Sequence, residues 1–236
     1  SLWKDEIFSA IESQKPLSEL LTTKSWDYYG YAPVHYVFTH IAMFFDTSDF
    51  AVRFPAALFG FLTLAVVYLL VKDIYGKKTA LLATLLLALS PIHIQYSREV
   101  RYYSYLAFFS SLTFLSAYKV VAEKKKLKWF ILFIFATLLN LATQLTALLM
   151  LAGEMAFFAS MLVLSLTKKQ KNPLKQFTLR KAVSIRNFLL LFACAVVLAL
   201  SFRFIVSFKD FLSTVTFKPA LPFREMLSYL ANGLRG

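Results

Sequence analysis

The sequence predicts an all-α fold: a polytopic transmembrane helix bundle preceded by an exterior segment of juxtamembrane amphipathic helices. Three observations carry this. Hydrophobic residues make up 58% of the 236-residue chain, against about 45–50% in ordinary soluble domains, and mean hydropathy is +0.61. The excess is gathered into charge-poor blocks near the length of about 20 residues that an α-helix needs to cross a bilayer. Lysine and arginine fall in alternate connecting loops, the pattern that marks cytoplasmic loops. No β-type alternation, internal repeat or low-complexity tract interrupts this.

Ser1–Arg53 is read as exterior. Leu2, Trp3, Ile7, Phe8 and Ile11 recur at helical spacing, which gives a helix able to lie in the membrane interface. Pro16 marks a turn or a new helix start. Trp26–Pro33 is an aromatic loop of the kind enriched at membrane surfaces, and Val34–Phe45 is a second amphipathic stretch. Thr47 or Ser48 can cap the helix that runs into the first span.

Six spans are expected. Phe54–Val71, Thr79–Ser97 and Tyr102–Tyr118 carry no charge. Trp129–Leu166 carries only Glu154 and is long enough for two. Asn187–Phe202, extended past Arg203 to about Phe208, is the sixth. Gly76-Lys77-Lys78 makes a tight turn, and Ser90-Pro91 breaks the second span near its outer end. The domain expectation is therefore an exterior loop over 1–53, a bundle over 54–208, and the start of a second exterior segment over 209–236. A chain that opens on Ser1 with an exterior segment leads to the further expectation of a span upstream of it.

Net charge is +13. In a soluble protein that would suggest nucleic acid. Here the bases cluster at Lys72–Lys78, Lys119–Lys128 and Lys168–Arg186, where they set topology and meet anionic lipid. Nucleic-acid binding is not expected; the lipid bilayer is the expected partner. The lone Cys194 lies in an apolar block, so no intrachain disulfide can form.

Chemistry-bearing residues concentrate on the exterior side. Asp5 and Glu6 fit two readings: acids in the first turn of a helix, or a general base on an acceptor hydroxyl beside a second acid that binds a divalent cation or tunes its neighbour. Arg98 and Arg101, three apart and expected on one helical face, are either interfacial anchors or guanidinium forks for a phosphate. Glu99 can orient one of them, and Tyr102, Tyr103 and Tyr105 can offer hydroxyls or ring faces. Arg53 is a second phosphate contact or an anchor. Of His35, His40 and His93, the last lies nearest the arginine segment, and no pair has the spacing of a helical metal site. Glu154, an acid within a span, is expected to pair with Arg203, Gln144 or Asn140. No Walker loop, GxSxG, HExxH or CxxC motif is present.

Four segments then resemble, in order, a known pattern: Leu2-Trp3-Lys4-Asp5-Glu6; Tyr31-Ala32-Pro33-Val34-His35-Tyr36; Arg53-Phe54-Pro55-Ala56-Ala57-Leu58-Phe59-Gly60; and Ser90-Pro91 with Ser97-Arg98-Glu99-Val100-Arg101-Tyr102. They resemble the GT-C glycosyltransferases, and most closely the protein mannosyltransferase and aminoarabinose transferase group (glycosyltransferase family 39-like). The likeness covers Ser1 to about Leu115. It implies transfer of a sugar from a polyprenyl-phosphate donor to a protein, lipid or glycan acceptor at the outer face of a bacterial cytoplasmic membrane. It further implies Asp5 as base with Glu6 beside it, Arg101 with Arg98 on the donor phosphate, and Tyr31, His35, His93 and Tyr102 near donor or acceptor. Tyr31 and Ala32 replace the family's basic residue and first proline. That basic residue contributes to a donor or metal site in some members, so a divalent cation stays open. The alternative reading is a non-catalytic transporter or lipid-carrier flippase or partner, for which Glu154 is the main support.

Overall fold

The computed structural model describes residues 2–21, 33–122, 127–144, 146–166 and 192–197, and these are helical with no strand among them. The helices are α1 (Lys4–Ser13), α2 (Leu17–Leu20), α3 (Pro33–Met43), α4 (Asp49–Tyr75), α5 (Lys77–Ala88), α6 (Pro91–Tyr96), α7 (Tyr103–Ala122), α8 (Leu127–Thr143) and α9 (Ala147–Leu166), with a further helical stretch at 192–197. The Tyr31 position, the basic loop at 168–186, Arg203 and the segment from 209 onward lie outside the described residues.

The local signals act where expected. The Ser48 hydroxyl accepts the Ala51 N–H and starts α4. Gly76 stops it at φ +89°, a backbone conformation that costs glycine little. This reverses the chain into α5. Ser90-Pro91 ends α5 and places proline in the first turn of α6, where its missing N–H is not needed.

The count of six spans is not reached among the described residues. α4 (27 residues) and α7 (20 residues) combine spanning length with high mean hydropathy, and α9 is apolar over its 20 residues. The block Thr79–Ser97 is not one helix, because proline divides it. α5 has 12 residues, about 18 Å at 1.5 Å per residue, short of a hydrocarbon core of about 30 Å. α8 is apolar with 17 residues. Of the sixth block, only 192–197 is described.

α7 packs on both α8 and α4, and α4 on α5. One core cluster joins Val34, Ala56, Phe59, Tyr105 and Phe109 near the α3 end of the bundle; a second joins Ala117, Val120, Phe133, Met155 and Phe158 farther along. At that far end the Asp73 carboxylate meets Lys119 Nζ at 2.8 Å, and the Tyr118 hydroxyl donates to the Asp73 carbonyl. The lysine-bearing turns thus lie at one end of α4 and α7, and Arg53 and Arg101 at the other. Outward, Phe50, Phe54, Leu58, Phe61 and Leu69 form an exposed apolar stripe along α4, the face such a helix gives to lipid.

α1 is inside out by soluble standards. Glu6, Ser9 and Ser13 are buried while Trp3, Ile7 and Ile11 are exposed. Its inward polar groups are satisfied: Ser9 donates to the Asp5 carbonyl, Ser13 to the Ser9 carbonyl, and His40 Nδ1 lies 2.7 Å from the Ser13 carbonyl. Of the predicted apolar stripe, Trp3, Ile7 and Ile11 face away from the protein, whereas Leu2 packs inward against Ala10, Val52 and Val100.

Candidate active site

The site is built around Glu6, which the fold buries completely. Its carboxylate accepts Arg53 Nε at 3.0 Å on Oε1 and Arg53 Nη2 at 2.6 Å on Oε2. It also accepts the backbone N–H of Val100 at 3.1 Å and that of Trp3 at 3.2 Å. The Trp3 bond satisfies one of the free N–H groups at the start of α1. Burial works against the charge, but the bonds from Arg53, Val100 and Trp3 outweigh it and hold the carboxyl below its ordinary value. One side chain therefore ties α1, α4 and the 97–102 segment together. With both oxygens committed, Glu6 does not fit the cation ligand considered from the sequence. Among the described residues no three His, Cys, Asp or Glu side chains converge as a metal-ligand set.

Asp5 is left in a different position by the same lock. Its side chain is 38% exposed, and its Oδ2 lies 3.7 Å from Arg101 Nη2. Arg101 is buried and its guanidinium lies 5.5 Å from the Tyr102 ring centroid, a cation–π distance. The Tyr102 hydroxyl lies beside Gln144, just past the end of α8. The Tyr102 ring stands edge-on to His35, 6.0 Å between centroids. His35 is buried on α3, packed also against Tyr36 and Tyr105. Asp5, Arg101, Tyr102 and His35 thus form one continuous line of contacts.

Arg98 and Arg101 do not share a helical face. The 97–101 segment is irregular, because the Val100 N–H is drawn to Glu6, 94 residues away, and Arg101 N–H bonds the Glu99 carbonyl instead. Arg101 turns to Asp5. Arg98 is exposed and lines an open cleft of about 540 Å³ with Trp3, Glu6, Arg53, Pro91, Ile94, Gln95 and Glu99. Glu99 does not orient an arginine through a hydrogen bond; its Oε1 accepts from Gln95 Nε2 at 3.0 Å. His93 is on α6, where its carbonyl accepts the Ser97 hydroxyl. Glu154 pairs with none of its expected partners among the described residues: Thr113 reaches its Oε1 at 2.7 Å, and Asn140 is engaged with Ser110.

Sequence reasoning passed over the roles of Gly60, Ser97 and the Val100 N–H. A Cβ on Gly60 would lie 2.1 Å from Ser97 Oγ and 2.6 Å from Ser97 Cβ, so glycine there lets the 97–101 segment lie directly on α4. The signal was present: Gly60 stands seven residues after Arg53, two helical turns along one face, and that face carries the whole segment.

A family model described as dolichyl-phosphate-mannose-protein mannosyltransferase matches residues 32–185. The matched stretch contains Arg53, Arg98 and Arg101; Asp5 and Glu6 precede it. The chain is also 26% identical over 197 residues to a Bacillus subtilis (strain 168) protein described as "Putative mannosyltransferase YkcB". That alignment takes in 78% of this chain and 27% of the relative, so the chain spans about a quarter of the relative's length. No solved structure matches the chain. The family match over most of an all-α chain with membrane-spanning helices has one reading: the chain is an integral membrane protein that belongs to the dolichyl-phosphate-mannose-protein mannosyltransferase family of GT-C glycosyltransferases.

Proposed function

We propose that this chain carries the catalytic face of a transferase that moves a sugar from a polyprenyl-phosphate donor to an acceptor hydroxyl on the non-cytoplasmic side of a bacterial cytoplasmic membrane. The observation that carries the reading is the Asp5–Arg101 pair, 3.7 Å apart, at the end of the bundle opposite the lysine-bearing turns. The positive-inside rule assigns those turns to the cytoplasm, which puts Asp5 outside.

In this reading Asp5 takes the proton from the acceptor hydroxyl. The acceptor oxygen attacks the anomeric carbon, and the bond from that carbon to the phosphate oxygen breaks. The phosphate leaves with the electron pair, and the Arg101 guanidinium stabilises its charge. Arg101 is well placed for this because its buried stem and Tyr102 fix its direction. Glu6 and Arg53 act by position: they hold α1 against the 97–102 segment and so set the Asp5–Arg101 distance. His35 and Tyr102 form the wall behind the guanidinium. The nature of the family, PMT-type mannosyl transfer, makes a lipid-linked mannose the first donor to try.

The test is a panel of radiolabelled polyprenyl-phosphate sugars presented to the protein in proteoliposomes. Transfer or release of one sugar, dependent on Arg101, supports the reading. Substrate movement across the membrane with the donor bond intact would favour the transporter alternative, whose structural support is the buried Glu154–Thr113 contact inside the bundle.

A further inference from the structure

Glu154 on α9 is an acid inside the bundle that the transfer mechanism does not use. It is buried, and among the described residues its carboxyl meets no basic side chain. Its Oε1 lies 2.7 Å from Thr113 Oγ1, and its Oε2 is buried without a hydrogen-bond partner among them. Its helix neighbours Leu151, Met155 and Phe158 pack with Ala117, Val120 and Phe133 in an apolar cluster, and the Phe114 and Phe158 rings stack with centroids 5.5 Å apart.

The hydrogens at Thr113 locate a proton. Thr113 Oγ1 lies 2.8 Å from the Ser110 carbonyl oxygen as well as 2.7 Å from Glu154 Oε1. A hydroxyl has one hydrogen and two acceptor lone pairs. A carbonyl oxygen can only accept, so the Thr113 hydrogen goes to Ser110, the local back-bond that threonine makes within a helix. An ionised Glu154 would then set a carboxylate lone pair against the Thr113 oxygen, or draw one hydrogen between two acceptors. Its Oε2 would be a charged oxygen with no donor in an apolar setting. With a proton on Oε1, both contacts at Thr113 are full hydrogen bonds, and Oε2 is a neutral carbonyl oxygen. The seam continues on the same face of α7, where Ser110 Oγ accepts from Asn140 Nδ2 of α8 at 3.1 Å.

We propose that Glu154 is a proton-binding site: a neutral carboxylic acid that donates from Oε1 to Thr113 and so clasps α9 to α7, with ionisation opening the clasp. The other titratable groups on the elements packed there are engaged elsewhere. On α7, Tyr118 and Lys119 turn to Asp73 of α4, Tyr105 belongs to the other core cluster, and Tyr103 packs on Tyr96 and Tyr102. Lys128 of α8 lies over the Trp129 ring. α9 has no second titratable residue, and Cys194 packs against the apolar cluster. α7 begins two residues after Arg101, so the clasp steadies the helix that follows the arginine. The proposal stands apart from the transfer reading, and its test uses no sugar donor.

The experiment is infrared spectroscopy of the whole chain in nanodiscs at neutral pH, wild type beside Glu154→Gln, in water and in deuterium oxide. Exposed carboxyls are ionised there and give no carboxylic C=O band. The expected result is such a band in the wild type, shifted by deuterium and absent from Glu154→Gln. Thr113→Val keeps the shape and removes the acceptor, so it should shift the band without abolishing it. Melting is the second readout. The Glu154→Gln amide still offers Thr113 a neutral donor, so this variant should melt close to wild type at neutral pH. The folded wild type holds a proton that the unfolded chain releases, so its stability falls as pH rises. Its melting temperature should therefore drop more steeply in alkaline buffer than that of Glu154→Gln. A wild type with no deuterium-sensitive carboxylic band at neutral pH overturns the proposal whether or not the variants fold. A band that persists in Glu154→Gln, or an equal alkaline drop in the two proteins, overturns it as well.

Discussion

Glu6 and Arg53 are 47 residues apart in sequence and meet as a two-pronged ion pair at 3.0 and 2.6 Å. The pair joins α1 to the N-terminal end of α4. Because the same carboxylate also takes the Val100 N–H, it places Asp5 and Arg101 within reach of each other. Removing one partner of such a pair leaves the other charge in a partly desolvated site. Glu6→Ala is expected to cost roughly 2–4 kcal/mol, less than a fully enclosed pair because the Arg53 side chain is 32% exposed. Glu6→Gln should cost less, since an amide oxygen still accepts. In a double-mutant cycle with Arg53→Ala, the double variant should lose less than the sum of the singles. Thermal melting in detergent checks this; additive losses would mean the pair is not the tie.

The lock also predicts an acid limit. The Glu6 carboxyl titrates below its ordinary value of about 4.5, so the folded state binds fewer protons than the unfolded one in that region. The resulting stability is present above the ordinary value and is lost as pH falls through the depressed folded value. Melting temperature should therefore decline on acidification below about 4.5, and Glu6→Gln should decline less steeply. Parallel curves for the two proteins would contradict the assignment.

Gly60 sets how closely the 97–101 segment lies on α4. Alanine in a helix interior is ordinarily about 1 kcal/mol better than glycine, but here its Cβ meets Ser97 Oγ and Cβ. Gly60→Ala should lower activity by displacing Arg101 and Arg98, without the gain in stability that helix propensity alone would give. Adding Ser97→Gly removes both clashing atoms and leaves Ser97 Cα at 3.5 Å, an ordinary contact. Turnover partly restored in the double variant is the expected outcome; a more stable, fully active Gly60→Ala would show that the approach is not tight.

Arg101→Lys keeps the charge but replaces a planar fork with a point charge. KM for the lipid donor should rise by about tenfold, together with a fall in kcat. Steady-state kinetics with the donor varied decides it, and an unchanged KM would move the phosphate to another residue.

Much of the local architecture could be read directly from residues. The Ser48 cap, the Gly76 reversal and the break at Ser90-Pro91 depend on near-neighbour chemistry, and each stands where its residue type requires. Thr79–Ser97 reads as one uncharged block of nineteen residues, yet a single proline divides it and leaves α5 short. The arginine face failed for a non-local reason: three-residue spacing promises a shared face only on a helix, and a hydrogen bond from Val100 to a carboxylate 94 residues earlier keeps that segment irregular. Glu6 illustrates the same limit. Sequence marks it as a first-turn acid, which it is, but the Arg53 contact appears only once α1 lies against α4. Glu154 was sought among charged and amide partners, whereas packing of α7 against α9 gave it the Thr113 hydroxyl.

The most direct test of the central claim compares donor turnover by wild type, Asp5→Asn and Glu6→Gln at equal folded amounts, using the polyprenyl-phosphate sugar that the wild type consumes. The account predicts that Asp5→Asn melts like wild type and loses turnover by roughly 10²–10⁴-fold, the loss expected for a missing general base. It predicts that Glu6→Gln loses stability along with activity. Asp5→Asn turning over at the wild-type rate would contradict the account.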